Sequence, residues 1–339
     1  MPFFPFNRFP KLTVAVAVFI PVTIAIYFQK RSMTPTLAAI DSSNAAFVGN
    51  LKGSPVAVFV GGTSGIGQGL ADAFARWRDG NAHIVIVGRN EAAAKDIISH
   101  FPKPTASNSW SHEFVQCDAT LMKNVKAASE QILAKHSKIN YLVMSPGFFS
   151  TSGRDETSEG IDTKLAVHYY ARWKFIDELL PALKKTKEDG EDVRVMSVLA
   201  AGHGGRIDAN DLGLKKGYSV KAAAEAGPTY NDLMVEAFHE RNPGIIFSHA
   251  YPGGVSTNLM SSARTPWLRA IAPVANVLVK PFTVTQDQCA GFLWSGLLNT
   301  TDGAYKMGSK GEDIGKKGYH GSDELRQKLW EHTAEATKV

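Results

Sequence analysis

A short apolar run, Val56-Ala57-Val58-Phe59-Val60, passes directly into Gly61-Gly62-Thr63-Ser64-Gly65-Ile66-Gly67, and few folds accept that junction. Five apolar residues, three of them valine, predict a strand buried on both faces, as in a parallel sheet covered by helices. Glycines at Gly61, Gly65 and Gly67 let the chain turn sharply into a helix and bring its backbone N–H groups close to a ligand. The start of that helix carries partial positive charge, which suits a phosphate-bearing ligand. A tight strand-to-helix turn needs glycine on its own account; the place after the first strand and before the first helix gives the cluster its meaning.

The alternation continues. Strands are predicted at 83–87, 113–117, 141–145, 193–198 and 245–250, with helices near 65–78, 91–99, 121–135, 163–184 and 229–241. Near-continuous apolar strands separated by helices specify a Rossmann-type, doubly wound parallel sheet in one α/β domain over residues 55–339. The Gly- and Lys-rich stretch 305–321 reads as a surface loop before a short helix at 322–336. Cys117 and Cys289 stand far apart, with neither disulfide framework nor zinc-ligand spacing, and no metal site is expected.

Ahead of this domain, Leu12 to Phe28 are 17 uncharged residues, bracketed by Arg8, Lys11, Lys30 and Arg31. As a helix they would reach about 26 Å at about 1.5 Å per residue, close to a thin endoplasmic-reticulum bilayer of about 27 Å. The expectation is a single-pass membrane anchor over residues 1–31, embedded in the lipid bilayer through 12–28, then a linker at 32–54. A cleaved signal peptide is the alternative, although Gln29-Lys30-Arg31 stands where small residues would be needed. Two basic residues on each side leave the orientation open. These four residues supply most of the formal net charge of +5, so the basic excess is no footprint for nucleic acid, and no nucleic-acid partner is expected.

The motif order resembles the short-chain dehydrogenase/reductase superfamily over about 55–308, with likeness to divergent fungal retinol-dehydrogenase and WW-domain-oxidoreductase-like members. Their TGxxxGIG loop appears here as Val60-Gly61-Gly62-Thr63-Ser64-Gly65-Ile66-Gly67. The resemblance implies that Gly61, Thr63, Ser64, Gly65, Ile66 and Gly67 cradle a dinucleotide and that Asp118 reads its adenine. Val255 and Thr257, in a PGxVxT-like stretch after Pro252, would meet the nicotinamide carboxamide. Arg89 and Asn90 follow the second strand, where an acid would bind a ribose diol and an arginine suits a 2′-phosphate, so NADP(H) is the expected cofactor.

The family's proton-transfer set is Asn, Ser and Tyr-x-x-x-Lys, the last two on one helical face. Here His168 takes the asparagine position, and Val198 the serine position with Ser197 one residue before it. Counting back from Pro252 puts the tyrosine near Ala224 and the lysine at Pro228. The real candidates are Tyr218 with Lys221 three residues on, and Tyr230, which has helix context but Met234 in place of lysine; the two stand equal. His168 could share proton transfer, since imidazole titrates near neutrality, or equally serve as a satisfied packing residue. Tyr170-x-x-x-Lys174 falls on the wrong helix and is expected to be structural.

An apolar lid is expected at 258–282, with Trp267, Leu268, Ile271, Val274, Val277 and Leu278. The resemblance then implies an NADP(H)-dependent oxidoreductase acting on a lipophilic carbonyl or secondary alcohol, of terpenoid, polyketide, steroid or retinoid type, in secondary metabolism, with a homodimer allowed. The incomplete tyrosine–lysine pair motivates the alternative of a nucleotide-binding scaffold without redox turnover.

Overall fold

The computed structural model describes residues 36–104, 110–261 and 263–339. A seven-stranded, wholly parallel sheet has the order β3-β2-β1-β4-β5-β6-β7, with β1 Val56–Val60, β2 His83–Gly88, β3 His112–Gln116, β4 Tyr141–Met144, β5 Arg194–Val198, β6 Ile246–Ala250 and β7 Ala304–Met307. Because every pairing is parallel, all strand ends that lead into ligand-binding loops lie along one edge. The order reverses between β1 and β4, which opens a crevice there. The expected doubly wound sheet is therefore present, with one more strand than the sequence suggested. All but the first residue of β7 lie within the stretch read as a loop, and the strand pairs with β6 from Phe247↔Ala304 to Ala250↔Met307.

One face of the sheet carries α4 (Met122–Leu133), α5 (Thr163–Glu188) and α6 (Val220–Arg241), and the other carries α2 (Gly65–Trp77) and α8 (Gln286–Leu298). Trp294 of α8 stacks on Phe74 of α2 with centroids 5.5 Å apart, and meets Phe59 and Tyr141 from the sheet edge-on. Both cysteines are buried, and burial pushes each thiol up to about 12.

The expected linker is corrected by a helix, α1 (Leu37–Gly49), capped by the Thr36 side chain and packed against α2 and α8. Its buried stripe is Ile40, Asn44 and Val48. Asn44 interrupts the apolar repeat, which hid the helix; its Nδ2 donates to the Gly291 carbonyl at 2.9 Å. The expected membrane segment, 12–28, lies outside the described residues, and among the described residues no helix is long and apolar enough to cross a membrane.

Two further helices position the crevice. Helix α5 runs Thr163–Leu165, passes through a π-helical turn at Ala166–Tyr170, and continues Ala171–Glu188. Helix α6 begins nine residues before its expected start, because Ser219 caps it and Gly227-Pro228 is carried inside rather than ending it. Beyond β6 the lid segment contains α7 (Pro266–Val279). A final helix, α9 (Asp323–Ala336), packs on α6.

Candidate active site

The glycine turn is held by contacts that tolerate no side chain. A Cβ at Gly67 would stand 2.4 Å from both the Gly61 carbonyl oxygen and Ser145 Oγ, and one at Gly61, whose φ is +81°, would stand 2.7 Å from the Pro146 nitrogen. Helix α2 has no side-chain cap, as is also true of α4 and α7, whereas Thr36, Asn90, Ser219, Thr285 and Ser322 cap the starts of α1, α3 (Glu91–His100), α6, α8 and α9. Its first amides therefore face the crevice at the β1–β4 switch point with no protein group offered to them by the cap residue. Thr257 lies against the turn, its Cγ2 3.5 Å from where a Gly65 Cβ would sit. Buried Ser145 Oγ has no hydrogen-bond partner among the described residues. An uncapped helix start, a cradle that a Cβ would fill and an unmet hydroxyl together fit a dinucleotide pyrophosphate.

The specificity-bearing residues cluster beside it. Thr63 packs on Gly88, its Cγ2 2.7 Å from that glycine's Cβ position, so the turn abuts the end of β2. Arg89 follows, exposed, with no carboxylate pairing it among the described residues. Asn90 is already engaged: its Oδ1 accepts from the Ala93 amide and caps α3. Asp118 Oδ1 accepts from both the amide and the hydroxyl of Thr120, which fixes its orientation. Val255 joins Val284 in an isolated bridge that closes the segment behind Thr257. Ser64 and Ile66 occupy the helix start itself.

The proton-transfer candidates separate. Tyr230 is fully buried, donates to the Leu212 carbonyl at 2.9 Å and meets Tyr169 with its ring tilted by 60°; burial pushes its phenol far up. Ser197 is also fully buried; it accepts from Arg172 at 2.7 Å and donates to Asn231 Oδ1 at 2.6 Å. Lys221 is 83% exposed and faces Glu225, not Tyr218, because Tyr218 precedes the helix cap and the helical spacing does not apply to it. Tyr170 donates to or accepts from His332 at 2.7 Å, while Lys174 pairs with Glu178.

The α6 face that looks into the crevice carries neither tyrosine nor lysine. Gly227 is there, 3.7 Å in Cβ terms from His168 Cβ and 3.5 Å from Leu199, and one turn on is Asn231, whose Nδ2 donates to the carbonyls of His168 and Gly227 at 2.8 Å each. Nearby, His249 Nδ1 lies 2.6 Å from Asp232 Oδ1, and the Ala200 amide donates to His249 Nε2, pinning the end of β5.

Three polar residues on α5 went unread as a group: Lys164, His168 and Arg172, at spacings of four. That period was the signal available in the sequence. Lys164 is buried and directs its ammonium protons to the carbonyls of Ser152 and Gly153 and to the Tyr218 hydroxyl. Arg172, also buried, donates to the carbonyls of Pro146 and Val198 at 2.6 and 2.8 Å, tying the ends of β4 and β5 together; burial pushes its guanidinium down to about 9. The partners of both cations are carbonyls and hydroxyls, with no carboxylate among the described residues. His168, whose ring lies tilted against Phe148 with centroids 5.7 Å apart, is pushed down to about 3 by burial and then by Arg172 and Lys164. This corrects the expected titration near neutrality: the ring stays uncharged at pH 7.

Residues 55–210 match the family described as short chain dehydrogenase. An oxidoreductase of Emericella nidulans is 36% identical over 249 residues, covering 73% of this chain and 71% of the relative. An oxidoreductase of Emericella variicolor is 32% identical over 254 residues, covering 75% and 72%. Polyprenol dehydrogenase of Homo sapiens is 28% identical over 169 residues, covering 50% of this chain and 49% of that enzyme. Among solved structures, NADPH-bound carbonyl reductase from chicken fatty liver aligns with a TM-score of 0.55 over 78% of this chain and 99% of its own, at 17% identity, a likeness of fold.

Proposed function

The chain belongs to the short-chain dehydrogenase family, and from that premise we propose that it is a membrane-anchored, NADP(H)-dependent reductase or dehydrogenase of a lipophilic carbonyl or secondary alcohol, of terpenoid, polyketide, steroid or retinoid type. The observation that carries the reading is the uncapped start of α2 at the switch point, with Thr257 across from it and Arg89 beside it. The α2 amides and Ser145 would hold the pyrophosphate, Arg89 the 2′-phosphate, Asp118 the adenine, and Val255 and Thr257 the nicotinamide end. Bound there, NADP(H) supplies or accepts the hydride.

What this chain's own residues add is a proton. Tyr218 is the tyrosine whose hydroxyl meets a lysine ammonium among the described residues. In reduction it gives its proton to the substrate oxygen, and Lys164 balances the charge left on the phenol oxygen. The buried Arg172 and Lys164 add positive potential under the crevice, which favours an oxygen that gains negative charge. Neutral His168 shapes the pocket rather than supplying the proton.

The test is NADPH and NADH titration of the purified full chain, followed by absorbance loss with a panel of lipophilic ketones. Arg89→Glu should weaken NADPH binding about 10- to 100-fold, the scale of a lost charge-assisted hydrogen bond, with NADH much less affected. Equal loss for both coenzymes would overturn the 2′-phosphate reading. The Gly227/Asn231 face favours one second reading, dinucleotide binding without turnover; NADPH that binds tightly but is consumed with no ketone would establish it. The anchor and its endoplasmic-reticulum location rest on residues 12–28, and release of the chain from membranes by carbonate would remove them.

A further inference from the structure

Helix α7 turns an apolar face outward. Trp267, Ile271, Val274 and Leu278 are 45–68% exposed, with Val274 and Leu278 the most open. At about 100° per residue these four fall within about 60° of one another. Leu268 and Ala272, on the adjoining arc, are buried against the domain. Phe282, 86% exposed, extends the patch past the helix end. A contiguous patch of this kind on a helix marks an interaction site rather than ordinary surface.

Two observations say what it meets. The first is charge: from Asn242 to Gln286 the chain has no Asp or Glu, and although Arg264 pairs with Asp155 at 3.6 Å, Arg269 and Lys280 meet no carboxylate among the described residues. Exposed apolar side chains on a helix whose own unpaired charges are both cationic complement an anionic lipid surface. The second is where the rest of the chain attaches. Arg76 bridges Asp41, near the start of α1, and Asp287, at the start of α8, at 3.6 and 2.8 Å. At the other ends of these helices, Arg194 lies over Phe47 and donates to the Leu297 carbonyl. The two helices therefore run parallel, and the chain enters α1 beside the start of α8, which follows α7 by six residues, 280–285. The uncharged run ending at Phe28 is separated from Thr36 by residues 29–35, which span at most about 24 Å.

We propose that the outer face of α7 is a membrane-docking surface that seats in the bilayer headgroup–acyl boundary next to the N-terminal anchor, so that the crevice edge faces the bilayer and takes lipophilic substrate from it. The anchor alone would leave the domain free to rotate; α7 fixes which edge faces the lipid. The proposal rests on the anchored reading of residues 12–28.

The two native cysteines are buried, so a thiol introduced at the surface labels selectively. Full-length chain carrying Val274→Cys, Leu278→Cys or, on the exposed end of α5, Lys184→Cys would be labelled with an environment-sensitive fluorophore. It would then be reconstituted in phosphatidylcholine vesicles with and without phosphatidylserine, some containing spin-labelled acyl chains. Docking predicts blue-shifted emission and quenching by the spin label at positions 274 and 278 but not at 184, independent of the protein-to-lipid ratio and stronger with phosphatidylserine. Arg269→Glu with Lys280→Glu should weaken that quenching. Chain that resists carbonate extraction yet shows no quenching at 274 and 278 overturns the docking surface and leaves the anchor standing. Quenching with release by carbonate keeps the surface and removes the anchor. A blue shift that grows with protein-to-lipid ratio, without spin-label quenching, assigns the face to a second copy of the chain; one independent of that ratio and likewise unquenched assigns it to residues 1–35. Either result overturns the proposal.

Discussion

Lys164 is an enclosed ammonium that meets two backbone carbonyls and a phenol, with no carboxylate to neutralise it among the described residues. If Tyr218 is the proton donor, Tyr218→Phe should lower kcat by about a hundredfold or more, the usual range for a lost general acid, while NADPH affinity stays near wild type; an unchanged kcat removes tyrosine from the reaction. Lys164→Met should relieve part of the pressure on His168, so the imidazole followed by NMR should titrate above the wild-type value of about 3. No movement would mean that burial and Arg172 set it without Lys164. The folded-state value lies below the ordinary imidazole range. His168 therefore leaves stability intact above about pH 6.5 and withdraws it as pH falls toward 3, because the unfolded chain takes the proton first. A kcat profile should show no inflection near 6.5 assignable to this ring.

At the level of the element, legibility followed how local the cause was. Strand β1 and the glycine turn were readable because burial on both faces and close backbone approach are dictated within a dozen residues. Gly67→Ala tests that directly: with a Cβ 2.4 Å from a carbonyl and a hydroxyl, the variant should lose dinucleotide binding at least tenfold, on the scale of about 1–3 kcal/mol of strain. Strand β7 escaped because four residues in a Gly- and Lys-rich stretch become a strand only by pairing with β6. Helix α1 escaped because its buried stripe includes Asn44, satisfied only by a carbonyl 247 positions away. Removing its anchor with Val48→Ala should cost about 2 kcal/mol in chemical denaturation; a negligible loss would mean the helix contributes little. The site divides in the same way. Cofactor residues follow one another in chain order, whereas the Lys164–Tyr218 contact joins α5 to the approach of α6 and has no spacing to reveal it.

Across the whole molecule, charge is arranged against stability in places. Burial, opposed by Gln68 and Arg76, raises the Asp72 carboxyl to about 6. An acid raised in the folded state is tolerated while protonated and penalises folding once ionised, so its cost is absent below about pH 4 and complete above about pH 6. Asp72→Asn should therefore stabilise the protein at pH 8 by about 1 kcal/mol after allowing for solvent screening, with the advantage vanishing at pH 4; a pH-independent difference would assign the gain elsewhere. The two sealed thiols make the native chain a clock for its own breathing. A thiol-directed reagent can act only on molecules that have momentarily come apart at the edge next to Asp118 or along α8, so the speed of alkylation counts those excursions. Any coenzyme that settles on the intact form should slow that clock in proportion to its occupancy.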